Sequence, residues 1–305
     1  MEEAEKLQVQ VMEMRSQILS VKHPDTLRSM GNLALTYFMQ ERWEEAERLQ
    51  VKVLEMSSQI LGAKHPDTFR SIENLASTYY KQQRWEEAEN LQVQVMEMKN
   101  QILDAKHPDT LTSMGKLAST YYEHQQWEEA EKLQVQVMDM RNQILSVKHP
   151  DTFTSMGDLA ATYGMQKRWK ETEKLQVQVI EMSNQILGAK HPDTLRSMVN
   201  LALTYGMQKR GEEAEKVGVQ VMEMSSQILG AKHPDTLRSM NMLAYIWKSQ
   251  GQDEEAIALL EKTLSVQIEE LGTDNPDTLD SISLLDEWQN NPNLRPSMVS
   301  WNIFL

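Results

Sequence analysis

The tetrapeptide His-Pro-Asp-Thr begins at His23, His65, His107, His149, His191 and His233, and returns as Asn-Pro-Asp-Thr at Asn275. Every interval is 42 residues, and segments 23–64 and 191–232 are identical at 33 of 42 positions. This period excludes an ordinary globular core. Each copy is one supersecondary unit that buries its apolar side only against its neighbours, so stability is a sum of unit and neighbour terms.

Each copy reads as two helices. In 23–40, Pro24 sits at the first helical position, where a missing N–H costs nothing, and Asp25 places a carboxylate at the positive end of the helix dipole. Leu27, Met30, Leu33, Ala34 and Tyr37 follow at helical spacing. A second, longer helix starts at Trp43, with Ala46, Leu49, Val53, Met56 and Ile60 on one stripe and Glu44, Glu45 and Glu47 largely off it. Gly62 is a C′ glycine, and Pro66 restarts the cycle. The chain therefore predicts an all-α, right-handed α-solenoid of antiparallel helix pairs, about 14 helices. Residues 1–22 read as the second helix of a truncated repeat, 23–274 as six full repeats and 275–290 as a C-terminal capping helix. The tail 291–305 either docks on the last hairpin or has no structure. The flank exposed by the truncated repeat predicts self-association.

The 305 residues carry 31 basic and 45 acidic side chains, a formal charge of −14, which argues against nucleic acid or an anionic membrane as partner. There is no cysteine, so no disulfide or thiolate chemistry, and a reducing, cytoplasmic setting is expected. Six of the seven histidines are the repeat histidines, whose equivalents stack ~10 Å apart, too far to share a metal. Phosphate-binding, zinc-protease and nucleophile-elbow motifs are missing, and the repeated Glu pairs read as a solvated face. No enzyme, metal or cofactor is expected, and protein partners remain.

The stretch Asn32-Leu33-Ala34 … Tyr37 … Trp43-Glu44-Glu45-Ala46-Glu47 looks like the tetratricopeptide signature, and the 42-residue spacing with His-Pro-Asp resembles the variant in kinesin light chains. Met240-Asn241-Met242-Leu243-Ala244-Tyr245-Ile246-Trp247, followed by Asp253-Glu254-Glu255-Ala256, is similar to the last repeats of fungal NLR-like (STAND) immune receptors. The resemblance implies a concave groove, lined by the first helix of each pair, that grips an extended peptide or another protein. It implies a ligand-backbone contact for the asparagine matching Asn32, Asn74 and Asn200, which Lys116, Asp158 and Met242 replace elsewhere. The sensing region of such a receptor is the reading it favours, with a cargo adaptor or general scaffold as the alternative.

The copies also supply their own comparison. Five first-helix slots vary in size, charge and aromaticity, those of Arg28, Gly31, Asn32, Leu35 and Phe38, and their spacing puts them on one face away from Leu33, Ala34 and Tyr37. Arg28, Asn32, Leu35, Arg70, Asn74, Tyr80, Lys116, Tyr122, Asp158, Arg196, Asn200, Arg238, Tyr245 and Lys248 are therefore expected to line the peptide- or protein-binding groove. The excess of Arg and Lys there selects a neutral or acidic ligand.

Overall fold

The structure, a computed structural model, describes residues 2–146 and 149–291; the expectations for most of the tail fall outside these residues. Fourteen helices are present among them. They are α1 (Glu2–Leu19), α2 (Pro24–Met39), α3 (Trp43–Ile60), α4 (Pro66–Lys81), α5 (Trp85–Leu103), α6 (Pro108–Glu123) and α7 (Trp127–Leu145). There follow α8 (Pro150–Met165), α9 (Trp169–Ile186), α10 (Pro192–Met207), α11 (Gly211–Leu229), α12 (Pro234–Gln250), α13 (Asp253–Leu271) and α14 (Pro276–Asn290). Even-numbered helices are the leading members of each pair and odd-numbered ones the trailing members. The chain divides into two compact units, Met1–Ile144 and Leu145–Leu305.

The repeat tetrapeptide is a helix cap. His23 Nδ1 accepts the backbone N–H of Asp25 at 3.1 Å, and His65, His107, His149, His191 and His233 do the same for the aspartate two residues on. Thr68 Oγ1 donates back to the Gly62 carbonyl at 2.8 Å, tying the cap to the end of the preceding helix. Leading helices end with a left-handed residue, Glu41 at φ 60° and its counterparts Gln83, Gln125, Lys167 and Lys209. The Arg42 N–H then reaches the Tyr37 carbonyl at 3.0 Å, which satisfies a carbonyl that the helix leaves open.

Each small core joins three helices. Leu27 and Met30 of α2 and Val53 of α3 are buried together, with Met12 of α1, Leu49 and Met56 packed around them. Phe69, Ile72 and Val95 repeat the arrangement with Leu54 from the preceding pair, and Leu111, Met114 and Val137 with Met96. Burying one such side chain stabilises by ~1.5–3 kcal/mol, and because the third helix belongs to the previous repeat, no hairpin completes its core alone. Met12, Met56, Met96 and Met98 pack against these cores, while Met14 is exposed.

A polar link also joins neighbours. The Arg42 guanidinium lies 4.2 Å from the Tyr37 ring centroid and donates to Glu5 Oε1 at 2.9 Å, and Gln40 Nε2 donates to the other Glu5 oxygen at 3.0 Å. Arg84 repeats this over Tyr79 with Glu47, and Arg210 over Tyr205 with Glu173. Hydrogen bonding from Arg42 holds the Glu5 carboxyl below its usual range. The third full repeat has Gln126 in the arginine slot, where its Nε2 lies 3.0 Å from His124 Nδ1.

Candidate ligand-binding site

In the first unit the variable face carries a pocket of about 320 Å³ where α2, α3 and α4 meet. Arg28, Asn32 and Leu35 line it from α2, and Arg70 and Asn74 from α4, so five of the sequence-predicted residues converge there. Its floor comes from the trailing helix α3, through Gln50, Val53 and Ser57. Gln50 is buried and accepts a hydrogen bond from Thr78 Oγ1 at 2.7 Å, leaving its amide N–H groups available at the floor. The side-chain amides of Asn32 and Asn74 have no hydrogen-bond partner among the described residues, and each offers both a donor and an acceptor.

The pocket is open because two side chains are small. Gly31 stands on the α2 wall, where an added Cβ would meet nothing within 4 Å, and Ser57 stands on the floor. One repeat later the same slots hold Glu73 and Lys99. Lys99 Nζ lies 2.9 Å from Glu73 Oε1 and 3.0 Å from Ser113 Oγ, and the pair fills the gap. The space left beside Glu73, Gln92 and Ser113 is only about 10 Å³. Equivalent gaps of one unit thus differ between open and closed through two residues.

Lys99 and Ser57 belong to a slot that the first-helix comparison overlooked. Along the trailing helices it reads Arg15, Ser57, Lys99, Arg141, Ser183, Ser225 and Gln267. It faces the serine present in every leading helix: Arg15 Nη1 donates to Ser29 Oγ at 2.7 Å, as Lys99 Nζ does to Ser113 Oγ. Its change in size and charge among near-identical copies was the available signal.

The groove arginines are less free than their sequence suggests. Arg70 Nη2 donates to Asp67 Oδ1 at 2.7 Å, Arg196 to Asp193 at 2.7 Å, and Arg28 lies 3.7 Å from Asp25. Arg238 pairs with Asp277 at 3.0 Å, and Lys116 lies 3.9 Å from Glu73. These arginines and Lys116 are exposed, so such pairs hold them by under ~1 kcal/mol and each can turn to a ligand. Tyr80 packs edge-on against Trp85, with ring centroids 5.2 Å apart, and burial together with Glu123 pushes its hydroxyl up to about 12. Tyr122 is half-buried.

In the second unit Asp158 and Arg196 are exposed, and Asn200 is half-buried with its Oδ1 enclosed and unpartnered. Tyr245 and Lys248 depart from expectation. Both are buried, and Lys248 Nζ lies 2.9 Å from Asp253 with its side chain wholly enclosed. The cause is a paired exchange. Gly218 and Leu260 replace the floor glutamine, and Met242 replaces the asparagine. A Cβ on Gly218 would lie 3.2 Å from Leu243 Cδ1 and 3.6 Å from Met242 Sδ, so the glycine admits those side chains. Leu203, Met242, Tyr245, Ile246, Leu260 and Trp288 then form one apolar cluster, and the variable face is closed there. Gly211 stands where earlier trailing helices open with tryptophan; Gln250 lies over it and donates to its carbonyl at 2.7 Å, as Gln208 does to the Trp169 carbonyl at 3.2 Å.

No groups of His, Asp or Glu that could hold a metal ion occur among the described residues, and none of their helices is long and apolar enough to cross a membrane.

The tetratricopeptide repeat family model matches residues 1–59, 34–101, 67–143, 109–183, 151–226 and 205–267. The chain belongs to the tetratricopeptide repeat family, and its fold is the all-α class of paired helices. A crystal structure of a putative kinesin light chain from Podospora anserina, built of nearly identical tetratricopeptide-like repeats, is similar at 31% identity and a TM-score of 0.60, covering 67% of this chain and 97% of that one. A STAND signal-transduction ATPase from Pyrococcus horikoshii, with a tetratricopeptide repeat sensor, shares the fold at 17% identity and a TM-score of 0.66, covering 92% of this chain and 41% of that one. No curated protein sequence matches. The repeat family is one of protein-interaction modules.

Proposed function

We propose that the chain binds an extended peptide or protein segment along the variable faces of its leading helices, and that the gap between α2 and α4 receives one side chain of that segment. The observation that carries this reading is the pocket of about 320 Å³, in which unpartnered Asn32 and Asn74 flank an opening with Arg28 and Arg70 at its rim. Amides so placed hydrogen-bond a ligand's backbone without regard to its sequence, and the pocket supplies selectivity. The ligand is neutral to acidic: the exposed arginines accept a carboxylate, while a chain of charge −14 repels acidic segments only at long range.

The test copies the closed gap into the open one. A random peptide display library panned against the full chain is expected to yield binders that lose tenfold or more affinity for the Gly31→Glu/Ser57→Lys double variant. Equal binding to both proteins, or no enrichment, overturns the reading. The sensing region of a fungal NLR-like receptor is the biological setting proposed, supported by the repeat sensor of the Pyrococcus horikoshii protein, which shares this fold. A kinesin light-chain-like adaptor is the alternative, supported by the Podospora anserina structure. Sequencing the transcript upstream of the Met1 codon separates them: a nucleotide-binding P-loop domain is expected, and a heptad coiled coil favours the adaptor.

A further inference from the structure

The trailing-helix slot of Arg15, Lys99 and Gln267 supplies an N–H donor to the first turns of the next leading helix. Arg15 Nη1 donates to the Asp25 carbonyl at 3.2 Å as well as to Ser29 Oγ. Lys99 Nζ donates to Ser113 Oγ at 3.0 Å, and Gln267 Nε2 to the Asp277 carbonyl at 3.3 Å. The acceptors are equivalent in each repeat. Ser29, Ser113 and Ser281 give their own protons to the carbonyls of Asp25, Asp109 and Asp277, at 3.0, 3.1 and 2.9 Å. A serine so committed has lone pairs left for an incoming donor.

At Ser57 that donor is missing. Ser71 Oγ gives its proton to the Asp67 carbonyl at 2.9 Å, as its counterparts do, but no described residue donates to its lone pairs. Ser57 is 2% exposed, and its hydroxyl has no hydrogen-bond partner among the described residues. Ser57, Ser71 and Asp67 all line the open pocket, so the unmet acceptors face the space that Lys99 fills one repeat later.

We infer, on the reading that this pocket receives a ligand side chain, that the side chain is a lysine or arginine. Its N–H groups take the place of those of Arg15 and Lys99 and donate to Ser71 Oγ and the Asp67 carbonyl. Its aliphatic stem lies along Leu27, Val53 and Leu61, which line the same pocket. The segment as a whole stays neutral to acidic, because carboxylates flanking the basic residue meet the exposed Arg28 and Arg70. Arg70 pairs with Asp67 at 2.7 Å in the free chain. A ligand carboxylate that draws Arg70 away leaves the Asp67 carboxylate to the basic residue, so both charges of the ligand are received together. A carboxylate at the depth of Ser57 lacks such support: Glu73 sits in the neighbouring gap with Lys99 at 2.9 Å, and Ser57 replaces that lysine here.

The test begins with the sequences of binders that the full chain selects from a random peptide display library. They are expected to share one lysine or arginine bordered by aspartate or glutamate. In a synthetic binder, norleucine in place of that residue keeps a stem and removes the donor. It is expected to weaken binding by about tenfold or more in isothermal titration calorimetry. Ser57→Lys supplies the donor from the chain itself and is expected to weaken the basic peptide by a similar factor. The same peptide with its basic residue cut to alanine is expected to bind Ser57→Lys and the unaltered chain equally. Ser71→Ala is expected to weaken the basic peptide but not the norleucine one, with far-ultraviolet circular dichroism unchanged. Binders that carry an apolar or acidic residue there, and still lose affinity for Gly31→Glu/Ser57→Lys, overturn this inference and leave the pocket reading standing. Binders indifferent to that double variant, or no enrichment, overturn both. A norleucine peptide as tight as its parent, or a Ser71→Ala effect equal on the two peptides, overturns the inference alone.

Discussion

Asn275 caps α14 as His65 caps α4: its Oδ1 accepts the Asp277 N–H at 2.9 Å, where His65 Nδ1 accepts that of Asp67 at 3.1 Å. An asparagine carbonyl and an imidazole Nδ1 occupy the same place relative to the backbone, so the one exception to the tetrapeptide keeps its chemistry. His65→Asn is expected to leave the midpoint of urea unfolding unchanged. His65→Ala removes the acceptor and is expected to cost ~1 kcal/mol.

A second prediction concerns the turn after trailing helices. Asp104 has φ 78° and ψ 169°, a region close to that of Gly230 at 94° and 156° and Gly272 at 88° and 166°. A side chain there is strained by ~1–3 kcal/mol, partly offset here by the Asp104 carboxylate accepting the Lys106 N–H at 2.6 Å. Asp104→Gly is expected to raise stability by ~1 kcal/mol, and Gly230→Asp to lower it, in thermal unfolding.

Acid should weaken the ion pairs of the connecting arginines, of which Arg42–Glu5 joins two repeats while Arg84–Glu87 and Arg210–Glu213 lie at the start of one helix. Hydrogen bonds from arginine lower the carboxyl pKa of Glu5 (from Arg42), Glu87 (from Arg84) and Glu213 (from Arg210) beneath the usual 4.5. A carboxyl whose folded pKa is depressed contributes stability above its unfolded value, and that contribution disappears as pH falls through the folded value. The melting temperature is expected to be level above about pH 5 and to fall below about pH 4.5. Arg84→Gln should flatten that acid limb. An equally steep limb in the variant would assign it to other groups.

The closed end of the variable face depends on Gly218. Gly218→Gln restores the floor residue of earlier repeats but drives it into Leu243 and Ile246, which lie 3.2 and 3.4 Å from an added Cβ. Overpacking of this kind costs ~1–3 kcal/mol. Pairing it with Met242→Asn, the residue of the open repeats, is expected to recover less than half, because Leu260 and Tyr245 remain in the cluster. Urea unfolding of the single and double variants measures both.

The fold was legible because proline, the tetrapeptide and the apolar stripes mark helix starts and packing sides locally, and 42-residue periodicity leaves only stacking as a way to bury them. The candidate pocket was legible in part. Arg28, Asn32, Leu35, Arg70 and Asn74 were found from variation along leading helices and do converge on one pocket. Ser57 and Lys99 were overlooked because they lie on trailing helices, whose conspicuous glutamate runs vary little and drew the comparison away from the one slot that does. Tyr245 and Lys248 were misplaced because helical position alone does not report what a neighbouring helix lays over it.

The amino-acid sequence by itself determined where each helix starts, how it is capped and which side it buries, since these depend on backbone geometry and contacts a few residues apart. Only the tertiary structure decided which gaps stay open. Whether Gly31 and Ser57 leave a pocket, Glu73 and Lys99 fill one, or Met242 sinks onto Gly218 depends on side chains more than twenty residues apart occupying the same volume, and volume is a property of the packed molecule.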